Sequence, residues 1–194
     1  EISACLVGSE MCIRDRDLFE YIVAEAVRMD HPIVDVGRLC ISGDGKQADC
    51  DVFARQGNAR VTFIECKGYK PYSTVRDEDV KHWIGHQIKV FRMHALREYS
   101  GADIAVELWT TGKFSDDTRA RLSKFKEQNA INQRYSVNIL EPHDVRNRIN
   151  ATRNASLIRV FEKHFIDNVF KVNSRNTREP FRFAGHDVAD EYDF

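Results

Sequence analysis

The stretch that most constrains the fold is KQADCDVFARQGNARVTFIECKGY, residues 46–69. Apolar and polar residues alternate in two runs on either side of a short Gly-Asn turn, a pattern typical of a β-hairpin. Because side chains alternate along a strand, we expect Asp49, Asp51 and Phe53 to share one face. The polar positions of the two strands carry three acids and one lysine, namely Asp49, Asp51, Glu65 and Lys67.

The register of this hairpin decides whether its acids meet. If the loop is centred on Asn58, the antiparallel pairing places Asp51 opposite Glu65. A two-residue turn at Gly57 and Asn58 shifts the pairing by one residue, so the paired acids require a bulge or a longer loop. The sequence permits this register but does not force it.

Paired carboxylates at Asp51 and Glu65 need a cation between them, because two carboxylates about 5 Å apart repel each other. Lys67 can supply part of that positive charge. Mg²⁺ supplies more, since it prefers oxygen ligands and needs only one or two carboxylates besides water and phosphate oxygens. The pattern therefore favours metal-assisted hydrolysis of phosphodiester bonds, with Lys67 beside the attacking water. The simpler alternative is two solvated strand faces.

The order of the predicted elements indicates an α/β fold, with a mixed sheet and helices on both faces. Ser115 is well placed to cap the helix that follows it, and Pro142 to begin the next one. In chain order, the pattern predicts a helix at 17–29, a short strand and a glycine turn within 31–47, strands at 47–54 and 60–67, a helix at 77–98, a strand at 102–111, a helix after Ser115, a strand at 135–140 and a helix from Pro142.

Composition limits the class of protein only broadly. The chain has 194 residues, of which 42% are hydrophobic and 30% charged, and its formal net charge is −1. No overall basic field indicates nucleic acid, although 29 Lys and Arg residues can form local basic surfaces. No apolar run approaches the roughly 18 residues of a membrane helix, so we expect no membrane contact. The five cysteines match no zinc or disulfide pattern, which favours reduced thiols in a cytoplasmic protein.

The two ends of the chain differ in character from its centre. EISACLVGSEMCIRDR resembles translated library-adaptor sequence, and we expect it to be a non-native leader. ASLIRVFEKHFIDNVFK, residues 155–171, is amphipathic and is expected to pack on the core or on a partner, including a second copy of this chain. Residues 172–194 are polar and end acidic, which predicts a mobile tail. The expected organisation is a leader at 1–16, a central domain at 17–150 and a C-terminal helix and tail at 151–194.

The hairpin resembles the active-site motif of the PD-(D/E)xK nuclease superfamily. The matching residues are Asp51 in DCDVFA and Glu65 and Lys67 in ECKGY. The resemblance is closest to the Mrr-like branch, and it extends from LFEYIVAEAV through YSVNILEPHDV, over roughly residues 17–150. Many relatives carry glutamate or an apolar residue where this chain has Asp49, which leaves open which aspartate leads. The run DVFA favours Asp51.

This resemblance implies a fold, a cofactor and a substrate. The implied fold is restriction-endonuclease-like, a mixed β-sheet flanked by helices on both faces. The implied activity is cleavage of nucleic acid, usually DNA, that depends on Mg²⁺ and accepts Mn²⁺ as a substitute. The biological setting that follows by resemblance is restriction, defence against foreign DNA or repair.

The resemblance also implies further site residues. The first helix of the family often adds a glutamate, and Glu20 is favoured over Glu25 because it lies nearer the apolar stripe of the helix. Lys67 is expected to position the attacking water. The expected metal ligands are Glu20, Asp51, Glu65 and the carbonyl of Cys66.

Gln87 lies on the buried side of the predicted helix at 77–98, where a polar side chain needs a partner. The resemblance places it near the site, in contact with the phosphate backbone or the catalytic lysine, and a satisfied core amide is the alternative. His82 and His86 are four residues apart on the same helix. Because no third metal ligand is identifiable, solvent or backbone contacts are favoured for both histidines.

Two other functions remain open. A catalytically silent nucleic-acid-binding or assembly subunit keeps the same fold and docks a partner through 155–171. A nuclease directed at RNA or at branched junctions keeps the same active site. No helix-turn-helix or zinc finger is recognisable, so the sequence predicts no separate module that reads DNA sequence.

Overall fold

The computed structural model describes residues 16–129 and 134–166, together with the backbone of 182–183 and 186–187. The described residues have a mixed α/β fold built on a five-stranded sheet. Its strands are β1 (Ile33–Ile41), β2 (Gln47–Gln56), β3 (Arg60–Lys67), β4 (Asp103–Thr110) and β5 (Tyr135–Leu140). The helices are α1 over 16–27, α2 (Asp77–His82), α3 (Ile88–Glu98), α4 (Asp116–Asn129), α5 (Pro142–Ala151) and α6 (Ala155–Phe161).

The sheet has the order β1-β2-β3-β4-β5, so β3 is its central strand. β1, β2 and β3 are antiparallel neighbours, whereas β3, β4 and β5 run parallel to one another. Parallel pairs require long crossover connections. The connection from β3 to β4 contains α2 and α3, and the connection from β4 to β5 contains α4. The mixed sheet predicted from the order of elements is therefore confirmed. The parallel pairing also brings the carboxyl ends of β3 and β4 to one edge.

Two apolar clusters on opposite faces of the sheet form the core. The first joins residues of α2, α3 and α4 to Phe63 of β3, and the second joins α1, α5 and α6 to the next residue, Ile64. In the first cluster the rings of Phe63 and Phe91 stack with their centroids 5.3 Å apart. Full burial of a side chain of this kind contributes about 1.5–3 kcal/mol to folding. Helices therefore cover both faces of the sheet, as predicted.

Element boundaries agree closely with the sequence prediction where local signals are strong. β3 and β5 begin and end at the predicted residues. The Ser115 hydroxyl accepts the Thr118 N–H at 3.2 Å at the start of α4, and Pro142 is the first residue of α5. β1 has nine residues and is longer than the short strand expected, because it pairs with β2 along its length.

The apolar face of the amphipathic C-terminal segment packs on the core. Leu157, Val160 and Phe161 of α6 are buried in the second cluster, and so is Phe165 in the π-helical turn Glu162–Ile166 that follows. This is one of the two packing alternatives. Binding of a partner through this segment stays a prediction.

Most of the expected leader and tail lies outside the described residues. Of the leader, only Arg16 is described, and residues 1–15 are not. Of 172–194, the structure describes the backbone of β6 (Arg182–Phe183) and β7 (His186–Asp187), which pair antiparallel.

No helix within the described ranges is long and apolar enough to cross a membrane. The cysteines of the described part are free and buried. Burial raises the pKa of the Cys40 thiol to about 11, so it stays protonated at neutral pH. The described free cysteines are Cys40, Cys50 and Cys66.

Candidate active site

The loop between β2 and β3 has the length that the paired acids require. Gln56 pairs with Arg60, so the loop is centred on Asn58. Gly57 begins the loop with a φ of 56°, in the left-handed region that glycine enters without a Cβ clash. The longer loop is therefore confirmed over a two-residue turn.

The β2–β3 ladder stops where the acids begin. Its last pair joins Val52 and Ile64, and the same register carried one residue further sets Asp51 opposite Glu65. Beyond this pair, the Cys66 N–H donates to the Asp51 side chain rather than to a backbone carbonyl of β2, at 2.7 Å from Oδ2. The N–H and C=O of one strand residue are directed toward the same neighbouring strand. The Cys66 carbonyl is therefore directed toward the Asp51 side.

Side-chain alternation along β2 is interrupted at Asp51. Cys50 and Phe53 both belong to the first apolar cluster, although strict alternation puts them on opposite faces. The expectation that Asp49, Asp51 and Phe53 share one face is therefore wrong. The register of β1 sets Gly37 opposite Asp51, and the φ of Gly37 is 69°, so the ladder is locally distorted there without a change of register. This irregularity lets Asp51 reach α1.

Asp51 and Glu20 share one cation. Arg16 Nε donates to Glu20 Oε1 at 2.8 Å, and Arg16 Nη2 donates to Asp51 Oδ1 at 3.0 Å. Both acids are buried, whereas the Arg16 side chain is 57% exposed. Glu25 instead pairs with Arg28 on the same helix. Of the two glutamates considered on α1, the structure therefore brings Glu20 to Asp51, with Arg16, the last residue of the expected leader, bonded to both.

Glu65 is held by two donors. Lys67 Nζ donates to Glu65 Oε1 at 2.6 Å, and Gln87 Nε2 donates to Oε2 at 2.7 Å. The residue is only 2% exposed. Burial, followed by the charge of Asp51, raises the pKa of Glu65 to about 7, although Lys67 and Gln87 act in the opposite direction. The two donors therefore do not fully offset the cost of burying the Glu65 carboxylate beside Asp51.

Lys67 is half-buried at the end of β3. Burial lowers the pKa of its ammonium group, but the neighbouring charges of Glu65 and Asp51 outweigh burial, and the net pKa is raised. The lysine is therefore positively charged at neutral pH. Its carbonyl accepts bonds from the Thr110 hydroxyl at 3.1 Å and the Thr111 N–H at 3.2 Å. These threonine contacts are not predictable from residue pattern alone; the available signal is the position of both threonines at the end of a strand parallel to β3.

A π-helical turn between α2 and α3, Trp83–Gln87, brings the amide of Gln87 to Glu65. A π-helical turn contains about one residue more than an α-helical turn, and such turns occur frequently at functional sites. Trp83 stays fully buried in the first cluster. Gln87 is therefore a buried amide with a partner, and that partner is the carboxylate of Glu65 rather than Lys67. A contact with the phosphate backbone stays a prediction.

Asp51, Glu65, Lys67 and Gln87 line an open pocket of about 400 Å³, a volume within the range of ligand sites. His82 and His86 line it, with ring centroids 5.1 Å apart. His86 Nε2 donates to the Gln47 carbonyl at 2.9 Å, which is the backbone contact favoured from the sequence. Asp49 lies exposed on the pocket wall, without the burial of Asp51.

The donor set fits a hard divalent cation better than a transition metal. Apart from the imidazoles of His82 and His86, its available ligands are oxygen atoms, which Mg²⁺ prefers. Within the described part of the chain, no three His, Cys, Asp or Glu side chains are grouped closely enough to hold an ion by themselves. An ion here would therefore also use backbone, water or phosphate oxygens, as Mg²⁺ commonly does. The oxygen donors are Glu20, Asp51, Glu65 and the Cys66 carbonyl.

The chain matches no protein-family model and no curated protein. Its relation to the PD-(D/E)xK superfamily therefore depends on the residues and geometry of this site, and it is a proposal.

Proposed function

We propose that this chain is a Mg²⁺-dependent endonuclease of the PD-(D/E)xK type that hydrolyses phosphodiester bonds in DNA. The observation that carries the proposal is the pair of buried carboxylates at the end of the β2–β3 ladder, Asp51 and Glu65, with Lys67 bonded to the second. Burying like charges together is costly for stability, and a raised pKa such as that of Glu65 is typical of functional sites. The restriction-endonuclease-like fold is part of the proposal, and the mixed sheet is compatible with it.

In the proposed reaction the side chains have separate roles. The ion, when bound, neutralises phosphate charge and makes a coordinated water more acidic. Lys67 holds the attacking water by a hydrogen bond and stabilises the negative charge that develops on the phosphoryl oxygens. Gln87 keeps Glu65 oriented through its bond to Oε2. The groups proposed to hold the ion are Asp51, Glu65, Glu20 and the carbonyl of Cys66.

The test is cleavage of plasmid DNA in Mg²⁺ and in Mn²⁺, followed over time on gels. Loss of a preorganised charge at the reacting centre typically costs a factor of about 100 or more in rate, and we expect at least this loss for Lys67→Ala and Asp51→Ala. Two matched controls are Lys89→Ala, at an exposed position of α3, and Asp49→Ala, two residues before the proposed ligand. Both controls should retain cleavage.

Thermal unfolding of each variant separates loss of activity from loss of fold. Equal cleavage by wild type, Lys67→Ala and Asp51→Ala would exclude the proposal. A defect in Asp49→Ala as large as that in Asp51→Ala would mean that the metal aspartate has been wrongly assigned. The same preparations assayed on single strands, branched DNA and RNA determine the substrate class.

A further inference from the structure

The loop that follows β3 presents an exposed tyrosine near the candidate site. Tyr72 is 76% exposed, more than any other large hydrophobic side chain of the described residues. Its φ is 67°, in the left-handed region that bulky side chains rarely adopt. Glycine or asparagine would satisfy this backbone at lower conformational cost. The Tyr72 side chain is therefore exposed to solvent although its backbone conformation is strained.

The Tyr72 loop is attached to the loop that follows β4. The Tyr69 N–H donates to the Thr111 hydroxyl at 2.7 Å, and that hydroxyl donates to the Tyr69 carbonyl at 2.8 Å. On the other side of Tyr72, the Lys113 N–H donates to the Ser73 carbonyl at 2.9 Å. Bonds on both sides fix the loop and keep the strained residue in place.

Lys113 adds a positive charge over one face of the Tyr72 ring. Its Nζ lies 5.9 Å from the centre of the Tyr72 ring, and the lysine is exposed. Among the described residues, no carboxylate lies within ion-pair distance of Lys113. An exposed aromatic ring next to an ammonium group is the combination with which proteins bind single-stranded nucleic acid, since the ring stacks on a base and the cation follows the backbone.

Tyr72 is close enough to the candidate site to act on the same substrate. It follows Lys67 by five positions, which span at most about 18 Å even when fully extended. Thr111 connects the two, because its N–H bonds to the Lys67 carbonyl and its hydroxyl bonds to Tyr69. At the rise of duplex DNA, about 3.4 Å per nucleotide of one strand, 18 Å corresponds to at most roughly five nucleotides, and an extended single strand covers it with fewer.

We propose that Tyr72 and Lys113 bind an unpaired nucleotide of the substrate, with the ring stacked on the base and the ammonium on an adjacent phosphate. This inference rests on the proposed function for its place in the reaction. The preferred substrate then has unpaired nucleotides within about five positions of the cleaved bond, as single strands, flaps and branched DNA have. A base inside an intact duplex is stacked between its neighbours and offers no free face to the ring.

The test is equilibrium binding of fluorescent oligonucleotides to the full chain carrying Lys67→Ala, which keeps the substrate intact. Tyr72→Ala should weaken binding of single-stranded DNA about 5- to 150-fold, the range expected for the loss of one aromatic–base stack. Tyr72→Phe, which keeps the ring, should bind within about twofold of the parent. Leu96→Ala removes an exposed side chain from α3 and serves as the surface control.

A second variant separates binding from folding. Glycine tolerates the φ of 67°, so Tyr72→Gly should lose binding as Tyr72→Ala does while its melting temperature is unchanged or higher. Matching duplex DNA should bind all these proteins within about twofold of one another, because its bases cannot stack on the ring.

The outcomes distinguish this inference from the proposed function. Equal binding of single-stranded DNA by Tyr72→Ala and its parent overturns the inference and leaves the endonuclease proposal intact. If wild type cleaves nothing but binding still depends on Tyr72, the nucleotide site stands and the endonuclease proposal fails. If binding of single-stranded RNA depends on Tyr72 as strongly as binding of single-stranded DNA does, the result supports the site and shows that it recognises the base rather than the sugar. If neither the parent nor wild type binds any nucleic acid, and wild type cleaves none, both proposals are overturned.

Discussion

Replacing Glu65 with glutamine should remove a pH dependence of stability that lies between about pH 4.5 and pH 7. Burial and the charge of Asp51 raise the pKa of Glu65 from 4.5 to about 7. The folded protein therefore holds this proton more tightly than the unfolded chain. The corresponding contribution to the free energy of unfolding is fully present below pH 4.5 and is lost as the pH rises through about 7.

The size of this effect follows from the pKa of Glu65. Each unit of pKa difference corresponds to about 1.36 kcal/mol, so the shift to about 7 limits the loss to about 3 kcal/mol. Lys67 is bonded to Glu65 and takes up part of the change in charge. We therefore expect wild type to lose about 1–3 kcal/mol relative to Glu65→Gln across this range.

The assay is urea unfolding of both proteins in EDTA, from about pH 4 to pH 8. The difference between their free energies of unfolding is followed against pH, because this removes the constant cost of exchanging a carboxylate for an amide. Glu78→Gln, at an exposed position of α2, is the matched control and should differ from wild type by a nearly constant amount. A wild-type minus Glu65→Gln difference that is flat, or that increases with pH, would refute this explanation of the site's charge balance.

Metal binding and backbone packing each give a further expected outcome. Mg²⁺ at 100 times its Kd should stabilise wild type by about 2.7 kcal/mol in thermal unfolding. Asp51→Asn should abolish this gain, whereas Asp49→Asn should keep it. Equal gains in both variants would mean that the ion binds elsewhere. Gly68→Ala should cost about 1–3 kcal/mol in urea unfolding, because its Cβ would lie 2.9 Å from Phe19 Cβ on α1, whereas nothing lies within 4 Å of a Cβ at Gly43. Equal effects of alanine at the two glycines would show that α1 moves freely.

Local sequence signals were sufficient for much of the fold. The alternating, β-branched run of β3 and the apolar face of α1 each depend on periodicity within a single segment, and both elements are observed. The Ser115 cap of α4 and the start of α5 at Pro142 are also local, since each depends on residues within one turn. The irregularity at Asp51 could not be predicted in this way, because it coincides with Gly37 on the neighbouring strand.

The candidate site was likewise predictable only in part from local sequence signals. By itself, the sequence determined that Asp51, Glu65 and Lys67 belong to one hairpin, because alternation and spacing are properties of a continuous segment. The sequence left the register open, and only pairing across the loop centred on Asn58 brought the two acids together.

Contacts between separate elements were decided by tertiary structure alone. Glu20 rather than Glu25 meets Asp51 because α1 packs on one face of the sheet in one rotation. Gln87 reaches Glu65 through a π-helical turn that periodicity does not reveal. The pKa of Glu65 depends on burial and on charges from more than one segment, so it is a property of the packed molecule.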